Sequence, residues 1–325
     1  MFLKPRVALL AGDPTGIGPE VAAKLLALPE TRELADITLV GDPSVFRAGA
    51  QVAGLPESIF DGLHLETVPL ALNLPMARVS ADAGTFTLAT LRRAVEIFQS
   101  GKIDAIVFAP LNKQAMKLAG MAEEDEMHYF AHHLGYAGMC SEINVADKLW
   151  TTRVTSHVPL RAVADLITRK GVVDAIELID SQMRAQRGGA APKIAVAGLN
   201  PHAGEGGLMG REEIDVIGPA VEQAKASGID VSGPYPADTL FIAARRGDYD
   251  GVVTMYHDQG QIATKLLGFE RGVTLHAGLP VTVATPAHGT AFDIAGRGTA
   301  NVGPTQTAFG LAVKIAASTS GQSRT

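Results

Sequence analysis

Short apolar, β-branched runs recur along the chain: RVALLAG (6–12), DITLVGD (36–42), DAIVFAP (104–110), KIAVAGLN (193–200) and DGVVTMY (250–256). Runs of this length without strict alternation predict strands buried on both faces. Helical periods lie between them. In TFTLATLRRAVEIFQSG (85–101), Leu88, Leu91, Val95 and Phe98 fall three or four apart, and Gly101 supplies the stop. VVDAIELIDSQMRAQ (172–186) and REEIDVIGPAVEQAKASG (211–228) read the same way. Strand and helix in alternation predict an α/β fold with mostly parallel sheets.

Each strand run opens into a turn rich in glycine or polar residues: GDPTGIGPE, APLNK, GLNPHAGEGG and YHDQG. Ligands of open α/β sheets bind outside the carboxyl ends of strands, so these turns predict a cleft lined by strand ends. Gly12, Gly16 and Gly18 let backbone approach closely, as in a phosphate turn, but the spacing is neither G-x-G-x-x-G nor G-x-x-x-x-G-K-[ST]. A purely structural turn fits equally well. Lys113, closing APLNK, is a catalytic ammonium or a surface lysine.

The chain has nine histidines, and three sit just past strand runs: His157, His202 and His257. Three neutral imidazoles at neighbouring strand ends can meet around one divalent ion. Asp258 is then a partner of the metal ligands or an acid–base group. His288 and Asp293 lie in the Gly-rich PAHGTAFDIAGRGTANVG (286–303), where an aspartate can take ribose hydroxyls. AEEDEMHYFAHH (122–133) carries four carboxylates and three histidines, which suits a metal site, an acid–base site or a wet surface.

Composition narrows the partners. The 325 residues allow two domains or one large α/β unit. Net charge is −6 and no basic run occurs, which sets nucleic acid aside. One cysteine, Cys140, excludes an internal disulfide framework and fits a reducing compartment. With no signal-like or membrane-length segment, the chain reads as a cytoplasmic protein.

In this order GDPTGIGPE, SHVPL, GLNPHAGEGG, YHDQG and HGTAFDIAGRG resemble the PdxA family, the 4-hydroxythreonine-4-phosphate dehydrogenases, over residues 6–318. HGTAFDIAGRGTAN also resembles the cofactor loop of isopropylmalate and isocitrate dehydrogenases, which share that fold. The resemblance implies two α/β/α domains with a cleft between them: 1–125 plus 285–325 on the cofactor side, and 126–284 for metal, substrate and dimerisation. It implies a homodimer with the active site at the subunit interface, and a divalent metal (Zn, Co, Ni, Mn or Mg) on His157, His202 and His257. It places a cofactor on Gly12, His288, Gly289, Ala291, Asp293 and Asn301. Asp293 would repel a 2′-phosphate, so the expected cofactor is NAD. Lys113, Asp238 and Asp258 match polar positions around the substrate and are the expected catalytic groups.

The resemblance breaks at the phosphate. Phosphate-using members read Gly-His-Thr-Glu-Phe where this chain has Asp125–Tyr129, so Glu126 stands on the phosphate-binding His and Met127 on the Thr. The family's Asn and Arg align with Thr274 and Val283, and Lys265 is kept. A carboxylate gained and an arginine lost disfavour a dianion. The expected substrate is therefore an unphosphorylated hydroxy acid or cis-dihydrodiol carboxylate, oxidised beside its carboxylate and then decarboxylated. Glu126, Met127, His128, Lys265, Thr274 and Val283 are the expected specificity positions. The alternatives are 4-hydroxythreonine-4-phosphate dehydrogenation in vitamin B6 synthesis and a non-catalytic protein that kept the fold.

Overall fold

A computed structural model describes residues 4–71, 74–268 and 272–320. The chain opens with β1 (Arg6–Leu10), α1 (Gly18–Leu26), α2 (Pro29–Leu34), β2 (Asp36–Gly41), α3 (Pro43–Val52), β3 (His64–Thr67), α4 (Ala81–Gln99), β4 (Ala105–Phe108), α5 (Lys113–Leu118) and α6 (Glu126–His133). It continues with β5 (Ser141–Ala146), β6 (Leu149–Arg153), α7 (Val163–Leu166), α8 (Arg169–Gln186), β7 (Ile194–Ala197), α9 (Gly218–Ala226), β8 (Val231–Tyr235), α10 (Ala237–Arg246), β9 (Gly251–Thr254) and α11 (His257–Gly268). It closes with β10 (Val273–Ala277), β11 (Thr282–Pro286) and α12 (Gly303–Ser320).

Two compact units result. The first holds residues 1–140 and 273–325, the second 141–272. The change-overs expected at 125/126 and 284/285 fall instead at 140/141 and 272/273, so α6, β10 and β11 belong to the first unit. Strand pairing places the two strands, and the bond of the Tyr129 hydroxyl to the Leu88 carbonyl ties α6 to α4. β11 adds parallel to β4, and β10 folds back antiparallel on β11.

The first unit's strands run β3-β2-β1-β4-β11-β10. The apolar runs behave as their composition requires: Val7, Leu9 and Leu10 of β1 and Ile106 and Val107 of β4 have no exposed surface. α4 begins at Ser80, whose hydroxyl accepts from the Ala83 N–H, and ends before Gly101 with φ +70°. The second unit's strands run β5-β6-β9-β7-β8, parallel except for the β5–β6 hairpin. Both antiparallel pairs went unread in the sequence.

Candidate active-site residues at the strand ends

In the first unit the turn after β1 packs against the chain's own backbone. A Cβ at Gly12 (φ +70°) would lie 2.3 Å from the Ala109 carbonyl oxygen, and one at Gly18 would lie 2.0 Å from that of Ala11. These glycines therefore permit close packing of strand exits. The Asp13 N–H donates to the Pro110 carbonyl (3.0 Å), joining the exits of β1 and β4. Asp13 Oδ1 accepts from the N–H and hydroxyl of Thr15, while its buried Oδ2 has no partner. Burial pushes this carboxyl up, against the Thr15 bonds that lower it.

The Gly-rich loop after β11 is pinned to α1. The Ile17 N–H donates to the Thr290 carbonyl (3.0 Å). Lys24 Nζ donates to the carbonyls of Gly298 (3.0 Å) and Ala300 (2.8 Å), and to Glu20 Oε1 (2.7 Å), which also accepts the Ala300 N–H (2.8 Å). Glu20 and Lys24 thus organise the loop, a role their i,i+4 spacing on a predicted helix gave no reason to assign. Ala291 holds φ +43°, strain of the kind stored at ligand loops. Gly289, Asp293 and Asn301 are exposed and His288 half-buried, on one continuous loop. Asn301 Oδ1 accepts from Gly303 N–H (2.9 Å) at the start of α12.

Asp125 explains where α6 starts. Its Oδ1 accepts from the His128 N–H (2.9 Å) and lies 2.7 Å from His128 Nδ1. Burial alone would raise this carboxyl, but the two His128 bonds and the charges of His128 and His276 hold it below the ordinary carboxylate range. Glu126 is buried, its Oε2 lacks a hydrogen bond, and Lys113 Nζ stands 3.5 Å away. Lys113 itself is the first residue of α5 and more than half exposed. Met127 is buried, and Val283 lies fully buried in β11 between Ile106 and His276. Thr274 sits on β10 opposite Thr285.

The rest of the acidic–histidine stretch is a paired surface. Glu123, His132 and His133 come within ligand reach of one another. His132 Nδ1 is bonded to Glu123, His133 Nδ1 to the Tyr129 carbonyl, and Arg92 Nη2 is 3.3 Å from His133 Nε2. A guanidinium at that distance opposes a second cation.

In the second unit, loop hydrogen bonds bind the exits of β6, β9 and β7 together. The N–H groups of Val154 and Thr155 donate to the carbonyls of Thr254 and Met255, and Gln259 Nε2 donates to that of Gly198. His157 and His257 meet, with ring centroids 5.6 Å apart. Among the described residues His202 does not complete a three-imidazole cluster; its Nδ1 pairs with Glu205 (3.1 Å), which raises its pKa. The reason is local. His202 through Gly206 all have positive φ, and Glu213, unremarked in the sequence, holds the loop by accepting from the N–H groups of Leu199 and Asn200 (2.7 Å each). His157 (φ +46°) and His202 (φ +54°) are both non-glycine residues in left-handed backbone. Two adjacent imidazoles, one of them on left-handed backbone, fit a divalent ion, as does the pairing of His257 Nδ1 with Asp258 (2.7 Å). Asp238 and Lys265 are exposed on α10 and α11, and Asp238 adds to the field that raises His202.

Residues 33–312 match the family model described as "Pyridoxal phosphate biosynthetic protein PdxA". A provisionally named 4-hydroxythreonine-4-phosphate dehydrogenase 2 of Pseudomonas aeruginosa is 50% identical over 96% of this chain and 97% of its own. The crystal structure of 4-hydroxythreonine-4-phosphate dehydrogenase from Klebsiella pneumoniae superposes with a TM-score of 0.81 at 37% identity, covering 96% of this chain and 98% of that one. A terephthalate 1,2-cis-dihydrodiol dehydrogenase from Burkholderia xenovorans superposes with a TM-score of 0.68 at 31% identity, over 94% and 98%. The fold is also that of a β-decarboxylating dehydrogenase from Thermococcus kodakarensis, which superposes with a TM-score of 0.51 at 17% identity, over 94% of this chain and 81% of that one.

Proposed function

Because the chain belongs to the family of the pyridoxal phosphate biosynthetic protein PdxA, we propose that this dehydrogenase is metal- and NAD-dependent and acts on an unphosphorylated hydroxy acid or cis-dihydrodiol carboxylate. The observation that carries the substrate class is the start of α6. Two buried carboxylates, Asp125 and Glu126, stand where phosphate-using members carry Gly and His, and Val283 stands in place of an arginine. A phosphate dianion brought there meets two carboxylates, countered by Lys113 and His128, where phosphate-using members supply a histidine and an arginine.

In this reading NAD held by the Gly-rich loop would supply a hydride acceptor for the carbinol carbon, and the hydroxyl proton is released to a base of the chain. The β-keto acid then loses CO2, and a proton takes the place of the carboxylate. Lys113, Asp238 and Asp258 are the candidates to carry those protons. A divalent ion on His157, His202 and His257 would supply Lewis-acid polarisation of substrate oxygens. Asp293 on the loop excludes a 2′-phosphate and favours NAD.

A second subunit completes the site. Leu160, Leu208, Met209, Ile262 and Leu266 are exposed large apolar residues of the second unit, close in sequence to the three histidines. Such exposure supports a self-association surface there. Among the described residues no helix is long and apolar enough to cross a membrane.

The names of the relatives favour a second reading, dehydrogenation of 4-hydroxythreonine-4-phosphate. NAD reduction by the metal-loaded protein separates the two. Our reading expects turnover of unphosphorylated acids and little of 4-hydroxythreonine-4-phosphate; efficient turnover of the latter alone refutes it.

A further inference from the structure

His276 has no assigned role. It lies on β10, has 1% of its surface exposed, and both ring nitrogens lack a hydrogen-bond partner. An unpartnered buried imidazole is costly, so its retention asks for a ligand. Its surroundings are specific. The rings of Phe108 (5.7 Å) and Phe130 (6.3 Å) meet it edge-on. The antiparallel register sets it directly opposite Val283, the position where an arginine is missing. It lies within electrostatic reach of Asp125. Glu126 and Phe130 are four apart, so they share the face of α6 that covers His276. Glu126 Oε2 is also buried and without a hydrogen bond, its nearest counter-charge being the Lys113 ammonium at 3.5 Å.

We infer that His276 and Glu126 form the subsite for the substrate's distal end, and that the group recognised is an uncharged hydroxyl. A neutral imidazole donates from one nitrogen and accepts at the other, and a carboxylate only accepts. A hydroxyl can accept from the ring N–H while donating to Glu126. A phosphate dianion can only accept and has no proton to offer Glu126. Substrate entry requires the first turn of α6 to lift; Tyr129 and His133 tie that helix to α4 through Leu88 and Arg92. This subsite rests on the unphosphorylated reading above.

The test uses the full-length metal-loaded protein with NAD and four probes: 4-hydroxythreonine, threonate, terephthalate cis-dihydrodiol and 4-hydroxythreonine-4-phosphate. His276→Leu removes both nitrogens and keeps an apolar volume. We expect KM for the best unphosphorylated probe to rise about tenfold with kcat within threefold, and His276→Gln to recover part of the loss. We expect the melting temperature of His276→Leu to increase, because two unpaired buried nitrogens are gone. Ring 15N resonances of His276, assigned against the Leu variant, should shift with that probe whether or not it turns over. An unchanged KM, or ring resonances that no unphosphorylated probe moves, overturns the subsite. A lower melting temperature overturns it as well, since it makes the histidine structural. Turnover by the unsubstituted protein of the phosphorylated probe alone defeats the underlying reading, and that result is read without any variant.

Discussion

Asp125 is the residue on which the position of α6 depends, and its removal has a calculable effect. Asp125→Ala deletes the acceptor for the His128 N–H (2.9 Å), a helix cap worth about 1 kcal/mol. It also deletes the bond to His128 Nδ1 (2.7 Å). That bond is worth about 1.5 kcal/mol, the low end for charged partners, because the imidazole is nearly half exposed and water screens it. The sum is about 2.5 kcal/mol of local stability, or roughly seventyfold in the opening equilibrium of α6. Asp125→Asn keeps an oxygen to cap the helix and loses only the charge, costing about 1 kcal/mol, roughly fivefold. Hydrogen exchange followed by mass spectrometry on peptides covering 122–134 reads this directly, with α8 peptides as an internal control. The pH dependence has a fixed sign. The folded carboxyl titrates below its ordinary range, so its stabilisation is complete above the unfolded-state value and is lost as pH falls through the folded-state value, below about pH 4. The Asn variant lacks that acid-side loss. Exchange in Asp125→Ala within twofold of the unsubstituted protein would refute this account, and so would equal exchange in the Ala and Asn variants.

Three further outcomes are expected. Glu20→Gln weakens the hold of α1 on the Gly-rich loop, so KM for NAD should rise about tenfold with kcat changed less; isothermal titration with NAD checks the binding part. His157→Ala or His257→Ala should each reduce bound divalent metal at least tenfold by elemental analysis, with the circular dichroism spectrum unchanged because both rings lie at strand exits outside the core. Asp293→Ser should narrow the preference for NAD over NADP at least tenfold, read as the ratio of kcat/KM values, by removing a carboxylate from the expected 2′-phosphate position.

Local information in the chain determined a good deal. The five β-branched apolar runs are strands because their side chains suit a sheet buried on both faces, and Leu88, Leu91, Val95 and Phe98 lie on α4 because helical period is a local property. The placement of His157, His202 and His257 just past strands followed from the same punctuation by glycine and proline. Two antiparallel pairs, β5–β6 and β10–β11, join strands adjacent in sequence but were not legible, since register depends on which face the tertiary structure buries. The β10–β11 register sets His276 opposite Val283, the β4–β11 pairing holds both strands in the first unit, and α6 stays there through α4. Spacing could not show that His202 turns to Glu205, because the left-handed run His202–Gly206 is held by Glu213 from another element. Nor could it separate the buried Asp125 and Glu126 from the paired surface of Glu123, His132 and His133. Residue identity fixes which chemistry a side chain can perform. Burial and partnership come from segments distant in sequence, and only the tertiary structure brings those together.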